Sequence, residues 1–253
     1  MALTDNLVAY WTLDESSDGS GAVTREDSTA SNNDLTDNNT TASGTGIISN
    51  GADFERANTE YLSITDAAQT GLDLAGDFTM NLWVNFESIP ANDEYYTFMS
   101  KFATSNRSYA FFLGKEADVV KLFSFIGDGV DTGDQDTVTW TPSTATWYMV
   151  TLRYTHATLK IDFSVNASAQ GAQQTSSVSL GAGGAAFRMG ETEIASRLMD
   201  GILDEAGVWS RRLTDVELTS LYNSGAGLAY PLVVNLTSSF SYTLSPFTAR
   251  GSR

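Results

Sequence analysis

From Phe78 to Phe86 the chain alternates without a break. Phe78, Met80, Leu82, Val84 and Phe86 are separated by Thr79, Asn81, Trp83 and Asn85. A period of two puts successive side chains on opposite faces of an extended strand, whereas a helix would scatter them. One face of such a strand is apolar and must be buried against a second layer. Similar runs return at residues 7–13, 109–114, 120–126, 147–154 and 159–165, with Gly, Ser, Asn and Asp between them. The spacing predicts an all-β chain folded as a two-sheet antiparallel sandwich.

The remaining segments read differently. Residues 16–43 are rich in small polar residues and predict loops around one short strand. Residues 127–136 carry Asp128, Asp131, Asp134 and Asp136 among glycines and also predict a loop. Its spacing is only loosely that of a calcium loop, because the closing Glu and flanking helices of an EF-hand are missing. One short C-terminal helix is expected from Thr214, which forms a capping box with Glu217, and Gly225 is placed to end it. The expected division is a body at residues 1–231 and a strand-like tail at residues 232–253, whose end carries Arg250 and Arg253.

Charge and cysteine content narrow the chemistry. There are 31 acidic and 14 basic residues, a formal charge of −17. Such a surface repels phosphate backbones, so nucleic acid is not an expected partner. With no cysteine, neither disulfides nor thiolate metal sites are available. The single histidine, His156, falls in a turn between two strands, which argues against a Ser-His-Asp triad or a histidine-rich zinc site. No stretch is apolar enough to span a bilayer, so membrane insertion is not expected. The first residues lack the basic and apolar regions of a signal peptide. The chain is expected to stay where it is made or to leave by another route.

Five motifs, in order, carry a resemblance. They are Leu7-Val8-Ala9-Tyr10-Trp11-Thr12-Leu13-Asp14-Glu15; Asp27-Ser28 with Asn32-Asn33-Asp34-Leu35-Thr36; Asn50-Gly51-Ala52-Asp53-Phe54 with Tyr61-Leu62-Ser63-Ile64; the strands at Phe78 and Trp147; and a closing signature, Met199 to Tyr222. That signature runs from a glycine turn through Asp204-Glu205 to Trp209 and the capped helix. Together these resemble the laminin-G-like, concanavalin-A-like jelly rolls. The resemblance covers about residues 5–231 and implies a jelly-roll sandwich. It departs from the family after residue 165, where Asn166-Ala167-Ser168 replaces an Asp-Gly turn, so a longer or differently closed hairpin is expected there.

The family hosts both binding modules and hydrolases. Retaining glycosidases of this fold resemble one another in a Glu-x-Asp-x-x-Glu strand, which sets two carboxylates about 5 Å apart on one face. No such triplet is present, and strand alternation sends Asp204 and Glu205 to opposite faces, so the chain is not expected to be an enzyme. Related jelly rolls carry a structural calcium, and the matching positions are Asp27, Asn32 and Asp204. The competing reading is that Asp27 and Asn32 cap turns and Asp204 is an ordinary hydrogen-bonded strand carboxylate. A sugar site needs an exposed aromatic platform with polar neighbours. Trp83 with Asn81, and Trp147 with Arg153, offer one on outward strand faces, unless a loop or the tail covers them. Tyr95, Tyr96 and Trp140 fall in expected loops as further contacts.

The resulting expectation is a non-catalytic structural or adhesive module. Its most specific form is a bacteriophage virion protein, made in the host cytoplasm, as a capsid decoration or tail-associated subunit. Its partners would be neighbouring virion subunits, through the tail, and a cell-surface glycan. The alternative is a carbohydrate-binding module of a bacterial surface or secreted protein. A glycoside hydrolase is the weaker alternative.

Overall fold

A computed structural model describes residues 1–194 and 197–234. The tail from residue 235, with its expected docking role, lies outside the described residues. The strands form two sheets in which every pairing is antiparallel, with one α-helix among the described residues, Asp215–Tyr222. This is the jelly-roll sandwich that the alternation and the resemblance imply. No helix among the described residues is long and apolar enough to cross a membrane.

The first sheet has nine strands. Its central path runs Trp147–Thr155, Phe78–Phe86, Gly201–Trp209, Asn50–Phe54 and Ala42–Thr45, and Leu7–Trp11 also pairs with Gly201–Trp209. The second sheet has seven strands, in the order Gly133–Thr139, Val119–Gly127, Asn106–Glu116, Tyr95–Ala103, Phe187–Met189, Tyr61–Ile64 and Thr36–Asn38. The apolar set of Phe78–Phe86 fills the space between the sheets with Leu152, Phe111, Leu113 and Ile126. Trp11 stacks on Phe187 across this core, their ring centroids 5.2 Å apart.

Two expected loops are strands. Asp134 and Asp136 lie in Gly133–Thr139, and Tyr95 and Tyr96 open Tyr95–Ala103. Both strands were masked in the sequence by polar or mixed composition, and pairing with apolar neighbours decides their state. Tyr96 and Trp140 are buried in the core cluster and do not serve as open contacts. The hairpin after Lys160–Val165 is tighter than expected. Val165 pairs with Ser168, and Asn166 and Ala167 both adopt left-handed φ, 51° and 61°. Positive φ at both central residues is what a two-residue turn between twisted strands requires, and here it is met without glycine. Leu232 is buried against the body, so the folded part passes residue 231.

Candidate functional site

The outer face of the nine-stranded sheet carries the residues that the sequence marks for function. Cross-strand register puts Trp147 beside Asn85, Met149 beside Trp83, Thr151 beside Asn81 and Arg153 beside Thr79. Directly paired residues share a face. This face is largely roofed. The helix is opened by Thr214, whose Oγ1 accepts from the Glu217 amide at 3.3 Å while Glu217 Oε2 accepts from the Thr214 amide at 2.8 Å. It ends at Asn223 in a left-handed conformation, two residues before the expected Gly225. Leu218 and Leu221 bury themselves against Trp83, Met149, Trp209 and Tyr10, forming a second core outside the sandwich.

Three of the four residues expected to hold a ligand belong to this roof. Trp83 is 3 % exposed and stacks on Tyr222. Asn81 Oδ1 accepts from the Thr151 hydroxyl at 2.7 Å beneath it. Arg153 donates to the Leu213 carbonyl at 3.1 Å and to Asp215 at 2.6 Å, tying down the start of the helix. They are therefore lid supports and form no open platform. Trp147 stays half-buried at the rim of the roof.

The acidic pair is also corrected. Asp204 lies opposite Trp83 and Gly207 opposite Asn81, so three steps on one strand face two on the other. This is a β-bulge. Glu205 occupies it with φ of 47°. The extra residue cancels the alternation, and both carboxylates come to the roofed face. Asp204 Oδ2 accepts from the amides of Ile47 and Ile48 at 2.7 and 3.0 Å. Glu205 accepts from the Tyr10 hydroxyl. Burial pushes Asp204 up to about 8, against the lowering effect of the Ile48 amide. Burial likewise pushes Glu205 up to about 7, with the Tyr10 hydroxyl opposing.

The calcium expectation meets the same crowding. Both oxygens of Asp27 are already engaged. Oδ1 accepts from the amides of Tyr10 and Thr29, and Oδ2 from the Asn33 amide and the Thr29 hydroxyl, all at 2.9–3.0 Å. Asn32 is an exposed turn residue with φ of 52°. Asp204 is bound at a different turn, Ile47-Ile48. Six to eight converging oxygens are what calcium needs, and these three residues do not fit it. Among the described residues, the carboxylates that do converge are Asp53, Glu55 and Glu87, with one oxygen of each within 4.8 Å of the others. Burial raises the pKa of Asp53 and Glu87, and the neighbouring acids add to the rise. The sequence signal for this group is absent, since Glu87 follows the strand Phe78–Phe86 while Asp53 and Glu55 lie at the end of Asn50–Phe54.

Beyond the roof one row of the face remains half-open. Trp147 pairs with Asn85, Asn85 with Ile202, Ile202 with Asp53, and Asp53 with Ala42. A cavity beside it is lined by Asn85, Phe86, Glu87, Thr144, Ala145 and Ile202.

A model of the laminin-G type, described as the concanavalin A-like lectin/glucanases superfamily, matches residues 56–219. Several solved structures share the fold. Domain 4 of an extracellular arabinanase from Geobacillus stearothermophilus, in complex with arabinotriose, is 17 % identical, with TM-score 0.64 over 85 % of this chain and 97 % of that one. The binding domain of Paraclostridial Mosquitocidal Protein 1 is 15 % identical, with TM-score 0.68 over 88 % of this chain and 53 % of that one. The binding domain of botulinum neurotoxin DC, in complex with rat synaptotagmin II, is 10 % identical, with TM-score 0.64 over 88 % and 52 %. The chain thus spans about half the length of the toxin binding domains it matches. No curated protein sequence matches it.

Proposed function

Because the chain belongs to the laminin-G-type concanavalin A-like lectin/glucanases superfamily, we propose that it is a non-catalytic binding module for glycans or a neighbouring protein. The observation that carries the reading is the fate of the acidic pair. Hydrolysis of a glycoside needs two carboxylates open to the substrate on either side of the bond. Asp204 and Glu205 are 0 % and 2 % exposed, and hydrogen bonds to Ile47, Ile48 and Tyr10 hold them under the roof. The face beyond the roof stays accessible. The fold is shared with an arabinanase domain solved with arabinotriose and with a toxin domain solved with synaptotagmin II, which supports both kinds of ligand. The test is a polysaccharide panel with the purified chain. Saturable retention with no sugar release supports the reading, and release of reducing sugar overturns it.

The narrower proposal is a bacteriophage virion subunit, with a carbohydrate-binding module of a bacterial surface or secreted protein as the alternative. One observation favours a protein neighbour. Val216, Val233 and Val234 are 76 %, 60 % and 41 % exposed and line one surface cavity where the chain passes into residues 235–253. That segment holds two arginines and no acidic residue, whereas the rest of the chain is strongly acidic. Docking on an acidic neighbour would satisfy both features. Mass spectrometry of purified particles from the native source tests it, and finding the chain only on cell surfaces refutes it.

A further inference from the structure

We propose that the half-open row of the nine-stranded sheet is a binding strip for an uncharged glycan chain lying across the strands. The inference rests on the binding-module reading and names the site. Trp147, Asn85, Ile202, Asp53 and Ala42 are successive cross-strand partners, so their side chains share one face. All five are half-buried, whereas Met149, Trp83 and Asp204 in the next row are closed by the roof. Four steps between neighbouring strands, at about 4.8 Å each, make the strip about 19 Å long. It therefore suits several linked sugars rather than one ring.

The chemistry along the strip is graded. At one end the Trp147 indole gives an apolar surface for the C–H face of a sugar. The Asn85 amide can donate and accept, as sugar hydroxyls do. Ile202 lies next along the row, and Glu87 and Thr144 flank it from the adjoining cavity. Beside Ile202, Asp53, Glu55 and Glu87 stand together, and none of them is paired with Lys or Arg among the described residues. Carboxylates accept strong hydrogen bonds from neutral hydroxyls. The same three charges repel a uronate, sulfate or phosphate group. The strip accordingly selects neutral chains and rejects acidic ones. The row emerges because the helix and the segment after it close over Trp83 and the Ile47-Ile48 turn closes on Asp204, while the next row stays half-buried.

The experiment is affinity electrophoresis and calorimetry of the full chain with linear arabinan, a mixed-linkage β-glucan and polygalacturonate. The expected result is binding to at least one neutral polymer and none to polygalacturonate. Trp147→Ala should weaken binding about tenfold or more. Asn85→Arg and Thr144→Arg, which block the strip from its floor and rim, should do the same with unchanged melting. These two keep the test valid if Trp147→Ala folds poorly. Trp83→Phe, under the roof, should leave affinity unchanged. If the wild-type chain binds a neutral polymer and the three strip variants bind it equally well, the strip is wrong while the binding-module reading stands. Stronger binding to polygalacturonate overturns the charge argument. No binding to either neutral polymer overturns the strip and removes the glycan half of the reading.

Discussion

The Tyr222 ring lies almost parallel to the Trp83 indole, with centroids 5.6 Å apart and planes inclined by 14°. This contact joins the last turn of the α-helix to the middle of the strand Phe78–Phe86. It converts an outward-facing tryptophan into part of a second core. Tyr222→Ala should therefore cost about 2 kcal/mol of stability, from lost stacking and buried area. Urea denaturation checks the value, and a change within 0.5 kcal/mol, about that of a surface substitution, would show the roof to be held elsewhere.

The roof depends on its first turn. Thr214 and Glu217 close a capping box, and Glu217 also accepts from Arg211 at 2.7 and 3.0 Å. Thr214→Ala should destabilise by about 1 kcal/mol, while Thr214→Ser should be nearly neutral. Chemical denaturation of the two variants side by side distinguishes a capping loss from a loss of surface packing.

Glu205 and Asp204 make stability fall as pH rises. Their folded pKa values, about 7 and about 8, lie above the ordinary 4.5 and 3.8. Between those limits the unfolded chain loses protons that the folded chain keeps, so unfolding is favoured as pH increases. The contribution is flat below about pH 4 and levels off again above about pH 8. Glu217, held near 2, acts oppositely, and its stabilisation fades only as pH drops below about 4.5. The melting temperature should decline from pH 5 to pH 8. Glu205→Gln, which can still accept from Tyr10, should flatten the decline up to pH 7. A wild-type melt that rises across this window would contradict the burial of the pair.

Asp27 acts as a hydrogen-bond hub. Four donors converge on it, two of them from the neighbouring Thr29. Asp27→Ala should cost about 3 kcal/mol, since each net hydrogen bond is worth about 1 kcal/mol and buried amides lose their acceptor. Neither EDTA nor added calcium should shift the wild-type melt. A calcium-dependent rise, by contrast, would place an ion at the protein after all.

Much of the fold was legible because its signals are local. Period-two alternation at Phe78–Phe86, the capping box at Thr214 and the glycine turn before Ile202 each depend on neighbours in sequence. The strand Tyr95–Ala103 was not legible, since its apolar, polar and charged residues follow no clean period and bulges interrupt its pairing. The candidate site was legible only in part. Trp147 was identified on the face that remains open, but its partners Ile202 and Asp53 come from strands more than a hundred residues apart and meet only through register.

By itself the sequence determined the class of structure: strands that must bury one face, a short capped helix, no thiol chemistry, and a strongly acidic surface. These follow from side-chain periodicity and composition, which the chain carries wherever it goes. Tertiary structure alone decided which outward faces meet water. A single extra residue at Glu205 reverses the alternation and brings both acids to one side. The helix then covers that side and hides Trp83, Asn81 and Arg153. Burial is a property of what packs on a residue, and no pattern within one strand records what a distant segment of the chain will cover.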